Sequence, residues 1–118
     1  MKILVAEDDR DQLFVRSLLL RENGFEPIEA VDLDSALLRA AEHRPRCALI
    51  DLRLPTEEAG LRLIRELKAL DSKMYVVVLT GSDANRLAQR SEKDLIDDLV
   101  VKGSPSKQLI QKLKRLAA

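Results

Sequence analysis

Short continuous apolar runs alternate along this chain with longer stretches in which apolar residues return every three or four positions. Lys2–Ala6 reads as a buried strand. The stretch Asp11–Asn23 follows, with Phe14, Val15, Leu18 and Leu19 at helical spacing, and Gly24 is placed to stop that helix. Phe25–Val31 alternates weakly and contains Pro27, which suits an edge strand. Asp34–His43 reads as a helix with Leu37, Leu38, Ala40 and Ala41 on its apolar side and Asp32 or Asp34 as its cap. Cys47–Ile50 is a second apolar run, and Glu58–Leu70 sets Leu61, Ile64, Leu67 and Leu70 on one helical face. Met74–Leu79, with its run of valines, is the strongest strand signal. Ala84–Ser91 is a weak helix, poor in large apolar residues, and Leu99–Val101 a short strand. Pro105–Leu116 closes the chain with Leu109, Ile110, Leu113 and Leu116 on one face, Ser104 and Pro105 serving as N-cap and first helical residue.

Five strands thus alternate with five helices. Unbroken apolar strands separated by helices predict a parallel sheet buried on both faces. The expected form is an α/β, doubly wound sheet of strand order 2-1-3-4-5.

Composition narrows the function more than the fold. With 118 residues there is room for one domain and no second. Charged residues make up 34% of the chain, yet Lys plus Arg and Asp plus Glu each number 20, so no bulk charge draws it to nucleic acid or anionic lipid. Cys47 is the only cysteine and His43 the only histidine, which rules out an internal disulfide and any metal site built on His or Cys clusters. Cys47 is expected to be a buried, inert thiol in a reducing cytosol. The longest apolar run, Met74–Leu79, is far short of the ~18 residues of a membrane span. Glu7, Asp8 and Asp9 end the first apolar run too early for a signal peptide. The expected location is cytoplasmic.

The candidate chemistry lies where the strands end. The first run ends at Glu7 and Asp8, the third at Asp51, the fourth at Thr80 and the fifth at Lys102. In a parallel sheet these ends share one edge, and strands 1 and 3 flank the switch point where ligand crevices form. Glu7, Asp8 and Asp51 should therefore meet, with Thr80 and Lys102 beside them. Two like charges 4 Å apart repel by ~4 kcal/mol at an effective dielectric near 20, so such a trio calls for a cation. An all-oxygen donor set favours Mg²⁺. Lys102 and the Thr80 hydroxyl suit the oxygens of a transferring phosphoryl group. Taken singly, each residue has an ordinary structural explanation: Asp9 or Asp11 caps the next helix, Thr80-Gly81-Ser82 makes a turn, Lys102 is a solvated lysine. The agreement of all four strand ends is what carries the functional reading.

The motifs at these ends are Ile3–Asp9 (ILVAEDD), Ala48–Pro55 (ALIDLRLP), Val76–Gly81 (VVVLTG) and Leu99–Lys102 (LVVK). As an ordered set they make the chain, residues 1–118, resemble a response-regulator receiver domain of bacterial two-component systems, which is flavodoxin-like in fold. The resemblance implies a phosphoacceptor at Asp51 and a Mg²⁺ site formed by Glu7, Asp8, Asp51 and the backbone carbonyl of Arg53. It implies supporting roles for Thr80 and Lys102. It further implies a phosphohistidine donor, either a sensor histidine kinase or a phosphotransfer protein, and as output a downstream protein target or a fused output domain. No direct contact with nucleic acid or membrane is expected. Such a module is a signalling receiver rather than an enzyme, although it assists its own phosphorylation and dephosphorylation.

Four positions depart from the family pattern. Gly103, not proline, follows Lys102, so a trans bond is expected there; Leu99 replaces the aromatic switch residue. Leu95-Ile96 replaces a small-residue pair, and the loop between Pro55 and Gly60 is one residue longer. With no ring to swing, activation is expected to be read through backbone shifts in Thr80–Asn85 and Gly103–Ser104. A haloacid-dehalogenase-like phosphatase needs an acid two residues after its nucleophile, where this chain has Arg53. A nucleotide or flavin binder needs a Gly-rich loop after the first strand, which is absent. The remaining rival is a receiver-fold interaction module that works without phosphorylation.

Overall fold

The computed structural model describes residues 1–81 and 84–117. Five parallel strands, β1 (Lys2–Ala6), β2 (Glu26–Ala30), β3 (Cys47–Asp51), β4 (Tyr75–Thr80) and β5 (Asp98–Val101), form one sheet of order 2-1-3-4-5. Helices α1 (Arg10–Glu22), α2 (Leu33–His43), α3 (Glu57–Leu70), α4 (Ala84–Leu87) and α5 (Ser106–Ala117) connect and cover it. The strand alternation divides the core into two layers. Ile3, Val5, Leu49, Val77 and Leu79 face Leu13, Leu20, Leu109, Ile110 and Leu113 of α1 and α5. Leu4, Ala6, Ile50, Val76 and Val78 face Ala36, Ala40, Leu61, Ile64 and Leu67 of α2 and α3.

Local signals explain the element ends. Asp9 caps α1, its carboxylate accepting from the N–H groups of Asp11 and Gln12. Gly24, at φ +87°, closes α1 in a Schellman motif: Phe25 N–H donates to Leu20 C=O and Gly24 N–H to Arg21 C=O. Asp32 and Ser35 form a reciprocal capping box at α2, and Thr56 caps α3. Pro27 lies in β2, which pairs only with β1 and is an edge strand as expected. The α5 helix begins at Ser106, one residue later than the expected start at Pro105.

Three expectations about buried faces need correction. On α1 the inward residues are Leu13, Ser17 and Leu20, whereas Phe14, Val15 and Leu18 are exposed, Phe14 by 64%. Apolar residues lie all round this helix, so spacing alone does not choose a face. Ser17 marks the inner one, because its hydroxyl is satisfied by Glu29 at 2.7 Å. On α2, Ala36 and Ala40 are buried, Leu37 is half-buried, and Leu38 and Ala41 are exposed, since the small residues let the helix lie close to the sheet. Leu70, at the end of α3, is exposed beyond the core.

The expected helix Ala84–Ser91 is also different. It is a single turn ending at Leu87, followed by a 3₁₀ segment at Ser91–Leu95. Few large apolar residues are available here to bind a long helix to the core. Polar contacts take over: buried Glu92 pairs with Arg65 at 2.5 Å and with Arg90 at 3.6 Å. Of the loop Thr80–Asn85, Ser82 and Asp83 lie outside the described residues. Leu99 is half-buried against the α2–α3 layer.

Candidate functional site

Register builds the site. Ala6 pairs with Ile50 and Ala30, so the chain leaving β1 sets Glu7 beside Asp51. Asp51 pairs with Leu79, which puts Thr80 one step further along the same edge, and Thr80 pairs with Val101, just before Lys102. Four residues from four strand ends are thereby collected by backbone pairing alone, and Asp8 follows Glu7 directly.

Carboxylate oxygens of Glu7, Asp8 and Asp51 all lie within 4.8 Å of one another. Glu7 and Asp51 are buried and Asp8 is exposed. Lys102 Nζ is 2.9 Å from Asp51 Oδ2, and the N–H of Arg53 donates to Asp51 Oδ1 at 3.2 Å. Thr80 Oγ1 is buried and has no hydrogen-bond partner among the described residues. Asp51, Leu52, Arg53, Leu79, Thr80, Gly81 and Lys102 line a cavity of about 220 Å³. A buried hydroxyl on the wall of a polar cavity, with no partner among the described residues, suits an oxygen-rich ligand.

The Lys102 side chain reaches Asp51 across the end of β4. Lys102 N–H donates to Thr80 C=O at 2.7 Å, and Ser104 N–H to Val101 C=O at 3.1 Å. Gly103 sits third in that turn at φ +90°, where a side chain is disfavoured. The Lys102–Gly103 bond is trans, as expected, and Leu54–Pro55 is cis.

Glu7 is the electrostatically strained member. Burial is the largest cause pushing its carboxyl from an ordinary 4.5 up to about 7, with a hydrogen bond to Asp51 adding to it. Arg16 opposes the shift: its guanidinium makes an ion pair with Glu7 Oε1. This arginine escaped the reading of the sequence. Arg16 lies three residues after Leu13 and borders the inward face of α1, but the apolar spacing points to Phe14, Val15 and Leu18 instead, so the pattern gave no signal for it. Cys47 is buried as expected, and burial pushes its thiol up to about 12.

Three carboxylates gather, one of them driven toward its neutral form by burial, and a hard cation among oxygen ligands relieves that arrangement. The residues present fit Mg²⁺.

The model of the response regulator receiver domain matches residues 3–114. The chain belongs to that family. Among the receiver's relatives is the phosphate regulon transcriptional regulatory protein PhoB of Klebsiella pneumoniae, 34% identical over 96% of this chain and 50% of that protein. Another is the transcriptional regulatory protein PrrA of Mycobacterium tuberculosis, 31% identical over 98% of this chain and 49% of that protein. The receiver spans about half the length of these curated relatives. The crystal structure of the receiver domain of NtrX from Brucella abortus superposes with a TM-score of 0.85 at 28% identity, covering 96% of this chain and 95% of that one. The doubly wound fold expected from the apolar pattern is thus that of receiver domains. Among the described residues, no helix is long and apolar enough to cross a membrane.

Proposed function

We infer that this receiver accepts a phosphoryl group on Asp51 from a phosphohistidine, and that the modification switches a protein-interaction surface. The observation carrying the reading is the meeting of Asp51 with Lys102 at 2.9 Å beside the buried Thr80 hydroxyl, which has no partner among the described residues. An Asp51 carboxylate oxygen attacks phosphorus, the P–N bond to the donor imidazole breaks, and the imidazole nitrogen keeps the electron pair. Lys102 and the Thr80 hydroxyl bind the phosphoryl oxygens, in the region their side chains already border. Glu7, Asp8 and Asp51, together with the Arg53 carbonyl, would hold Mg²⁺, which would supply positive charge for the incoming phosphoryl group. The same groups assist later hydrolysis of the acyl phosphate, so the receiver promotes both its loading and its clearance without being an enzyme in its own right.

The donor is a sensor histidine kinase or a phosphotransfer protein, and the output a separate protein target or an output domain in the same polypeptide. PhoB and PrrA carry the name of transcriptional regulators. For this receiver, with 20 basic residues balanced by 20 acidic ones, direct contact with nucleic acid is not part of the proposal. It works in the cytoplasm. Mass spectrometry after incubation with acetyl phosphate and Mg²⁺ tests the assignment: the wild type gains one phosphoryl group and Asp51→Asn none. Equal labelling of both proteins would overturn the assignment to Asp51, and labelling of neither would favour an interaction module that needs no phosphorylation.

A further inference from the structure

A cation already sits on the acidic cluster, and it belongs to the chain. The Arg16 guanidinium pairs with Glu7 Oε1 through Nη1, while Nη2 donates to Gln12 Oε1 at 2.9 Å. Gln12 lies one helical turn before Arg16, so the guanidinium is tethered at two points and aimed at Glu7. Glu7 is 1% exposed and the Arg16 side chain 17%, so water screens this pair little. Glu7 also shares its cluster with Asp8 and Asp51. A divalent ion and a guanidinium compete for the same oxygens and repel one another at such range.

We propose that Arg16 is a built-in competitor of Mg²⁺, holding Glu7 in the metal-free receiver and leaving it when the metal binds. The inference rests on the metal site proposed above. Two consequences are specific to it. Arg16 lowers Mg²⁺ affinity instead of supporting it, the reverse of what a merely structural ion pair does. Metal binding also frees a guanidinium at the mouth of the groove between α1 and the β5–α5 turn, which Val15, Arg16, Lys102 and Gly103 line. Occupancy of the metal site is thereby coupled to the charge presented beside the phosphoacceptor.

Calorimetric titration of Mg²⁺ into wild type, Arg16→Gln, Gln12→Ala and Asp8→Asn tests this. Arg16→Gln should bind Mg²⁺ about three- to tenfold more tightly, the scale of one shielded ion pair. Gln12→Ala, which keeps the charge and loses the tether, should fall between it and the wild type. In wild-type protein, which avoids any question of a variant's folding, the Arg16 Nε–H resonance should move and exchange faster as Mg²⁺ is added. Equal or weaker binding by Arg16→Gln, or an Arg16 resonance that ignores Mg²⁺, overturns the competitor while leaving the metal site standing if Asp8→Asn alone loses binding. Absence of binding in wild type and Arg16→Gln alike overturns both.

Discussion

Lys102 Nζ lies 2.9 Å from Asp51 Oδ2 although the strand between them, β4, separates β3 from β5. The lysine therefore spans the end of β4, where Thr80 holds a buried hydroxyl with no partner among the described residues. In the resting receiver it neutralises one of three gathered carboxylates, and the same reach brings its charge to whatever is attached to Asp51. Lys102→Ala should keep Mg²⁺ binding, because Glu7, Asp8 and Asp51 remain. It should slow labelling of Asp51 by acetyl phosphate by about 10²-fold, the usual scale for removing one donor from a developing anionic charge. Stopped-flow or quench-time labelling checks it, and an unchanged rate would count against the role given to Lys102.

Glu7 makes stability depend on pH in an unusual direction. Its carboxyl is raised in the folded state to about 7 from an ordinary 4.5. The folded protein thus holds a proton that the unfolded chain releases between those values, and a raised pKa gives stability that is fully present below 4.5 and lost as pH rises through 7. For this group alone, metal-free protein should be more stable near pH 5.5 than near pH 8, by at most about 3 kcal/mol. Glu7→Gln should flatten that slope, and saturating Mg²⁺ should flatten it too by favouring the ionised form. Urea denaturation across this range measures the slope; a wild-type slope identical to that of Glu7→Gln would refute the assignment.

Gly60 sets how closely α3 lies on the strand that carries Asp51. A Cβ there would stand 1.9 Å from the carbonyl oxygen of Leu52 and 2.8 Å from its carbonyl carbon, both of them backbone atoms that no rotamer change can move aside. Gly60→Ala would gain up to about 1 kcal/mol in helix propensity. Overpacking costs about 1–3 kcal/mol and sometimes more, so the clash should win and the urea midpoint should fall. Because Leu52 directly follows Asp51, the phosphorylation rate should fall as well. A midpoint equal to or above that of the wild type would show that the helix can shift without cost.

What could be read from the sequence was whatever depends on backbone pairing. Once the strands are parallel and ordered, register alone brings the ends at Glu7, Asp51, Thr80 and Lys102 together, and no side-chain detail is needed. Side-chain reach was less legible. Arg16 meets Glu7 across nine residues of chain through a long flexible stem, a contact that periodicity does not encode. The inward face of α1 was misjudged because apolar residues surround that helix and a serine, satisfied by Glu29, is what turns inward. The shortness of α4 was foreshadowed by its poor apolar content, but its replacement by an ion-paired 3₁₀ segment depends on Arg65, a partner from α3 distant in sequence.

The misjudged face of α1 leads to the final prediction. Phe14, Val15 and Leu18 are 64%, 62% and 44% exposed on a helix that starts just after Asp8. A group of large apolar side chains exposed on one helix is a candidate docking surface for another protein. Asp51 is only 4% exposed, so under the proposed function a phosphohistidine would have to reach it at the edge of the sheet, near the start of α1. Removing the apolar patch should therefore separate two kinds of donor. Phe14→Ala combined with Leu18→Ala should leave labelling by acetyl phosphate unchanged, since neither side chain belongs to the phosphoacceptor site. Exposed substitutions of this kind move stability by roughly 0.5 kcal/mol or less, so the fold should persist. Transfer from a phosphorylated histidine-containing protein should fall by about tenfold, corresponding to the loss of one apolar anchor at an interface. Measuring both rates on the same variant decides the matter: equal slowing with both donors would mean damage to the site itself, and no slowing with either would mean that the donor docks elsewhere.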